Sequence, residues 1–68
     1  MPRNFRSVSC YITRMAEGYV EVVTENDSVE TYYVPSQYWA SFEAWVMSRD
    51  GNWMLLDVDD QGFIVGWQ

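Results

Sequence analysis

The clearest pattern in the chain is a strict alternation of apolar and polar positions between residues 6 and 14. Val8, Cys10 and Ile12 point to one side and Tyr11 to the other, with the period of two that is typical of a half-buried β-strand. Similar short apolar segments predict four more strands at about residues 19–24, 29–34, 53–58 and 63–67.

Residues 36–50 follow the helical period instead, and they lie between the third and fourth predicted strands. We expect the Ser36 hydroxyl, which comes directly after Pro35, to cap the first turn, and Gly51 to end the helix. An arc of about 120° carries the predicted core-facing side chains, which are Tyr38, Trp39, Phe42, Trp45, Val46 and Arg49. Such an aromatic stripe needs a broad apolar surface, and the sheet is the natural one.

The turn between the second and third strands suggests a strand register. Asn26 and Asp27 both tolerate positive φ and predict a two-residue hairpin turn. That turn places Val20 opposite Tyr33 in the core, and it points Tyr32 to the far face of the sheet.

The other two hairpins give registers in the same way. In the first hairpin, Ile12 pairs with Val20 and Cys10 with Val22, and Gly18 supplies the left-handed residue of a bulge. In the last hairpin, which turns at residues 59–62, the predicted pairs are Val58 with Phe63, Leu56 with Val65 and Met54 with Trp67.

These elements predict an α+β fold with the order βββαββ and a five-stranded antiparallel sheet that packs one helix on one face. The order 3-2-1-5-4 is favoured, because the last strand can lie antiparallel beside the first; the alternative places the last hairpin at the other edge. The far face then presents Tyr11, Tyr19, Val23, Tyr32, Trp53, Leu55 and Ile64, interspersed with Glu21 and Glu30. Such a face is typical of an interaction site, unless residues 2–5 or a second copy of the chain cover it.

Charge changes this picture more than composition does. Residues 1–14 carry three arginines and no acid, whereas residues 15–68 carry ten acids and one arginine, so the net charge is −6. A field of this sign repels nucleic acids and lipid head groups and favours a basic partner. The alternative is that the acids only keep an aromatic-rich protein in solution.

The inventory of reactive groups favours binding over catalysis. The chain has no His and no Lys, which removes the usual groups for proton transfer near neutral pH. Its one cysteine, Cys10, lies on the predicted core side and excludes an intramolecular disulfide. We therefore expect a cytoplasmic protein without a signal peptide, a membrane contact or a cofactor, and we do not expect an enzyme.

One string resembles a metal-binding motif. Residues 57–64 are similar to the first half of an EF-hand calcium loop, with acids at its first and third positions and Gly62 at its sixth. Gln61 and Gln68 stand where the EF-hand has acidic ligands, so the string predicts an acidic hairpin turn rather than a metal site.

Together these features predict a small acidic protein-interaction module, most simply an inhibitor that occupies the basic, nucleic-acid-binding surface of a partner protein. In size and charge the chain is similar to the small acidic inhibitors of bacteriophages, including anti-CRISPR and DNA-mimic proteins. The alternative is a structural or assembly subunit that forms homodimers or larger oligomers through its aromatic sheet face. The predicted partner-binding residues are the acids Glu17, Glu21, Glu25, Asp27, Glu30, Asp57, Asp59 and Asp60 and the aromatic residues Tyr11, Tyr19, Tyr32 and Trp53.

Overall fold

The computed structural model describes residues 5–49 and 53–68, and it confirms the α+β fold with the order βββαββ. One helix and a five-stranded antiparallel sheet make up the described chain. The elements are β1 (Phe5–Ala16), β2 (Tyr19–Thr24), β3 (Val29–Tyr33), a 3₁₀ turn (Ser36–Tyr38), α1 (Trp39–Arg49), β4 (Met54–Asp59) and β5 (Ile64–Trp67).

The strands lie in the order β3-β2-β1-β4-β5, so the predicted order with β5 beside β1 is wrong. β1 is long enough to pair with two neighbours, with β4 along Phe5–Cys10 and with β2 along Cys10–Ala16. Cys10 lies opposite Thr24 on one side and opposite Met54 on the other. Both strands of the last hairpin are largely apolar, so the residue pattern alone does not reveal which of them pairs with β1.

The two outer strands of the sheet meet at one point. The Tyr33 N–H donates to the Gly62 carbonyl at 2.9 Å, and Tyr33 and Phe63 form a parallel bridge. The sheet is therefore curled, with its buried side chains on the inside. β4 returns beside β1 after three hairpin-connected strands, which is a Greek key. In its strand order and in the contact between β3 and the β4–β5 turn, the sheet is similar to the partly open five-stranded barrels of the OB type.

The β2–β3 hairpin turns through three residues rather than two. The Asp27 N–H donates to the Thr24 carbonyl at 3.0 Å, the Thr24 N–H donates to the Ser28 carbonyl at 2.9 Å, and only Asp27 has a positive φ, at 62°. The extra residue shifts the register by one, so Val20 lies opposite Tyr32. Tyr32 is consequently buried and Tyr33 exposed, the reverse of the prediction.

The β4–β5 hairpin has the same design. The Gly62 N–H donates to the Asp59 carbonyl at 3.1 Å, and Gly62 has a φ of 89°, which confirms its predicted place in an acidic turn. Val58 lies opposite Ile64 instead of Phe63, so Ile64 is buried and does not belong to the far face. A register shift next to this pair allows Trp67 also to pack against the core.

The first hairpin keeps its predicted apolar side but not its register. Gly18 has the expected positive φ, at 94°. Ile12 lies opposite Val22, two residues from the predicted partner, and the irregularity falls further back, between Ile12 and Arg14. This shift places Ile12 and Met15 on the same inner side, which a regular strand would not do.

The predicted aromatic stripe of the helix is confirmed except at Tyr38, which lies in the 3₁₀ turn and is 39% exposed. Phe42 is fully buried, and Trp39, Trp45 and Val46 pack against the core. The helix begins differently from the prediction: no side chain caps it, and the Pro35 carbonyl accepts from the Tyr38 N–H in a 3₁₀ turn. The predicted stop at Gly51 lies outside the described residues. The buried core consists of Cys10, Val20, Val22, Tyr32, Val34, Phe42, Met54, Leu56, Val58 and Ile64.

Candidate partner-binding surface

The beginning of β1 lies between two acidic hollows. A groove of about 250 Å³ separates it from the β2–β3 turn and includes Glu25 and Glu30 in its lining. A second hollow, of about 270 Å³, lies on the other side, where Asp59 and Asp60 face the beginning of β1. Arg6 lines both hollows, and it is the one basic residue among the described residues that line either. We call these five residues the β1 acidic site.

The groove exists because β1 changes partners. Before Cys10 the strand pairs with β4 only, and the β2–β3 hairpin extends past the last residue that pairs with β1. The two segments diverge at this point and leave space that polar side chains line. The lining residues are Arg6, Ser7, Val8, Ser9, Thr24, Glu25, Asn26, Ser28, Glu30 and Tyr32.

A small polar network links β1 to β3 across this site. Arg6 Nη2 lies 3.9 Å from Glu30 Oε1 and donates to the Tyr32 hydroxyl at 3.4 Å, and that hydroxyl donates to Glu30 Oε1 at 3.1 Å. The side chains of Arg6 and Glu30 are 60% and 40% exposed. An ion pair this open contributes at most about 1 kcal/mol, so it is readily exchanged for a stronger partner.

Tyr32 is a correction to the predicted site, because its ring is buried and cannot serve as an exposed anchor. Burial raises the pKa of its hydroxyl, and the Glu30 carboxylate raises the pKa further, while Arg6 acts in the opposite direction. The hydroxyl therefore stays protonated and can donate to Glu30.

Besides Glu30, two more of the predicted acids have internal hydrogen bonds. Asp59 Oδ1 accepts from the backbone N–H groups of Gln61 and Phe63, both at 2.9 Å. Asp57 Oδ1 accepts from the Ser7 hydroxyl at 2.7 Å on the outer face. The remaining acid of this region, Asp60, is exposed at the tip of its turn.

The other predicted acids do not belong to the β1 acidic site. Glu17 is exposed in the β1–β2 turn, and Glu21 lies on the outer face opposite Arg14 and Thr31. Asp27 is exposed in the same turn as Glu25 but does not line the groove. The sheet thus divides the predicted acids between different parts of the surface.

The predicted aromatic residues also separate. Tyr11 and Trp53 contact each other on the outer face, with ring centroids 5.0 Å apart and an interplanar angle of 84°. Tyr19 lies opposite Tyr33, and Tyr33 packs against Phe63 at 5.8 Å. The core positions predicted for Tyr33 and Phe63 are wrong, because both rings are exposed. The available signal was the pair Tyr32-Tyr33, in which a shift of one residue exchanges the buried ring for the exposed one.

Tyr11 and Trp53 begin an apolar strip that runs from Trp53, directly before β4, across β1, β2 and β3. Tyr11 lies opposite Val23, and Val23 lies opposite Val29, which is 72% exposed. We call Trp53, Tyr11, Val23 and Val29 the outer apolar row.

The remaining chemistry of the described residues is limited. Cys10 is buried, as predicted, and burial raises the pKa of its thiol from 9.0 to about 11. Among residues 5–49 and 53–68 no three His, Cys, Asp or Glu side chains are grouped so that they could hold a metal ion. In the same residues, no helix has the length and apolar character needed to cross a membrane.

No protein-family model matches the chain, and no curated protein and no solved structure is significantly similar to it.

Proposed function

We propose that this protein is a small acidic protein-interaction module that binds a basic surface of a partner protein and blocks it, most simply a surface that otherwise holds nucleic acid. The observation that carries the proposal is the convergence of Glu25, Glu30, Asp59 and Asp60 around Arg6 at the beginning of β1. The proposal assigns binding, not catalysis, to this site.

The charges of the site suit a cationic ligand. Carboxylates that line a concave surface raise the local concentration of basic groups and speed their association. A guanidinium group of the partner can form two parallel hydrogen bonds with one carboxylate, which the open Arg6–Glu30 contact at 3.9 Å does not achieve. Replacement of Arg6 by a partner's guanidinium group beside Glu30 is then favourable.

The similarity of the sheet to OB-type barrels gives a second argument for a basic protein partner. OB-type barrels bind oligonucleotides on the β2–β3 face and at the β1–β2 and β4–β5 turns. Here these positions carry Glu17, Glu21, Asp59 and Asp60, so a phosphate backbone would meet negative charge. Since fold alone does not establish function, the sign of this charge is what favours a basic protein partner.

The proposed place of action is the cytoplasm. Cys10 is the single cysteine of the chain, and its thiol is buried. Such a cysteine is typical of proteins in reducing compartments.

The first experiment measures binding of a synthetic polyarginine peptide by calorimetry between about 50 and about 500 mM NaCl. We expect Glu25→Gln to weaken binding about twofold to fivefold at low salt, and Glu25→Gln/Asp60→Asn to weaken it further. Glu43→Gln is the matched control, because it removes the same charge from the exposed side of the helix. Equal losses in the Glu25 and Glu43 variants, or binding that does not fall as salt rises, would contradict the proposal.

A second experiment tests the blocking of a nucleic-acid site. A fluorescent DNA duplex is first bound to the polyarginine peptide, and the protein is then added at low salt. We expect the protein to release the duplex from the peptide and to show no binding of its own to the duplex. A protein that binds the duplex directly would overturn the proposal.

A further inference from the structure

The outer apolar row is an apolar strip on the outer face of the sheet. Val29 and Trp53, at its two ends, are 72% and 48% exposed. Most positions that adjoin it are polar, with Arg14, Glu21 and Thr31 on one side and Ser7, Ser9 and Asp57 on the other. The exception is Leu55, which lies on the outer face as predicted, opposite Ser9, and is half-buried. Exposed apolar strips with a polar rim mark interaction sites.

A second copy of the chain does not suit this strip. Two copies would each bring a net charge of −6 to the interface, and they would repel each other. Stable interfaces contain roughly 20–30 residues a side, far more than four side chains, two of which are already partly buried. A cationic partner is not repelled, and its interface can extend from the strip onto the β1 acidic site.

We propose that the outer apolar row is the docking surface for an amphipathic basic segment of the partner, with apolar side chains on Val23 and Val29 and an arginine or lysine over the Trp53 ring. This inference rests on the proposed function and names the chemistry of its partner. A cation over an exposed indole face is attracted by the ring's negative face. The edge-on contact with Tyr11 fixes the orientation of that ring.

The row and the β1 acidic site adjoin each other. Ser9 and Thr24 line the groove; Ser9 lies two residues before Tyr11 on the same face of β1, and Thr24 directly follows Val23. One segment can therefore place its cations near Glu25 and its apolar side chains on the row. Such alternation is that of an extended or helical segment with one basic and one apolar side.

The test compares two synthetic peptides of equal length and charge, one alternating arginine with leucine and the other alternating arginine with serine. We expect the leucine peptide to bind the wild-type protein at least about fivefold more tightly at about 150 mM NaCl. We expect Val29→Ser to remove most of this difference while leaving the serine peptide's affinity nearly unchanged. Trp53→Ser should weaken both peptides, because an arginine of either peptide can lie over the Trp53 ring.

Tyr33→Ser is the matched control, because Tyr33 is as exposed as Trp53 but lies outside the row. It should keep the preference for the leucine peptide, and circular dichroism should show all three variants folded. Trp53 fluorescence should change on binding of the leucine peptide, read as the difference between wild type and Trp53→Phe.

The outcomes separate the two proposals. Equal affinities for both peptides, or a preference that Val29→Ser leaves intact, would overturn the docking surface alone, because salt-dependent binding of the serine peptide would still support the acidic module. Failure of both peptides to bind at any salt would overturn both. Sedimentation that shows a dimer dissociated by Val29→Ser would assign the row to a second copy and overturn the docking surface.

Discussion

Thr24 and Asp59 occupy equivalent positions in two hairpins that share one design. Each side chain accepts hydrogen bonds from the backbone N–H groups two and four residues further on. For Thr24 the two distances are 3.4 and 3.3 Å, whereas for Asp59 both are 2.9 Å. The carboxylate makes the shorter and stronger bonds expected of a charged acceptor, so the β4–β5 turn is the more firmly held of the two.

We expect Asp59→Ala to lower the free energy of unfolding by about 1–3 kcal/mol, because two backbone donors lose a charged acceptor. Thr24→Ala should cost less, about 0.5–1 kcal/mol. Urea denaturation monitored by Trp fluorescence measures both. Asp60→Ala is the control, since it removes the same charge from the exposed tip of the same turn; a loss as large as that of Asp59→Ala would show that charge and not hydrogen bonding is responsible.

Substitutions at the left-handed residues of the two turns should change the stability of the protein in opposite directions. Asp27 has a φ of 62° and Gly62 a φ of 89°. Replacing Asp27 with Gly removes the steric cost of a side chain at positive φ and should stabilise the protein by about 0.5–1 kcal/mol, and Gly62→Ala should destabilise it by about 1 kcal/mol.

Space does not complicate the Gly62 variant, because an added Cβ would meet only the Tyr33 ring at 3.9 Å. Thermal unfolding followed by circular dichroism provides the measurement for both variants. Destabilisation by Asp27→Gly would mean that the Asp27 side chain contributes more to the turn than its backbone conformation costs.

These turns explain why the elements could be predicted and the registers could not. The alternation of residues identified every strand, but Asn26-Asp27 also fits a two-residue turn, which is one residue shorter than the loop that forms. Tyr32 and Tyr33 are equally good core residues by pattern, so the apolar pattern did not correct the error. Register is well specified only where one face of a strand is polar.

The candidate surface was less predictable than the fold, since it depends on which strands pair. The acids were recognised from charge alone, but only the pairing of β1 with β4 brings Asp59 and Asp60 beside Arg6. The outer apolar row needs the observed register as well, because Val29 points outward only when Val23 lies opposite it. The helix was easier to predict, because the residues of its aromatic stripe are close together in the sequence. Their positions depend neither on strand pairing nor on the length of a turn.

Phe42 is the side chain on which the packing of the helix most depends. Its ring is fully buried, and the centroid of this ring lies 5.3 Å from that of Trp67 and 6.2 Å from that of Trp45. We expect Phe42→Ala to cost about 3–5 kcal/mol, which approaches the whole stability of a domain this small. Trp45→Ala should cost less, because that ring is only partly buried.

Urea denaturation gives these values, and Met47→Ala is the control on the same helix, because Met47 is 74% exposed. The free energy of unfolding of the Met47→Ala variant should stay within about 0.5 kcal/mol of wild type. A Phe42→Ala protein that unfolds at the wild-type urea concentration would contradict the packing of α1 against the sheet.

Replacing Arg6 should strengthen the binding of a cationic peptide. Arg6→Gln removes the internal cation from the β1 acidic site and leaves Glu30 open to a partner's cation. We expect the variant to bind polyarginine about twofold to fivefold more tightly than wild type at low salt. Arg14→Gln is the control with the same charge change on the outer face; an equal gain there would show that net charge alone sets the affinity.

Cys10 gives the protein a predicted sensitivity to alkaline pH. Burial raises the pKa of its thiol from 9.0 to about 11, so between these values the unfolded chain binds fewer protons than the folded one. The stabilisation is therefore complete below about pH 9 and is lost as pH rises towards about 11. Cys10→Ala should lose stability less steeply than wild type across this range, and urea denaturation of both proteins at a series of pH values measures the difference.

The burial of Cys10 also predicts slow modification of its thiol. At pH 8 an aromatic disulfide reagent should modify the wild-type thiol only as fast as the protein opens, and quickly in urea. Rapid modification of the native protein would show that the middle of β1 separates from its neighbours far more readily than its pairing with β2 and β4 implies.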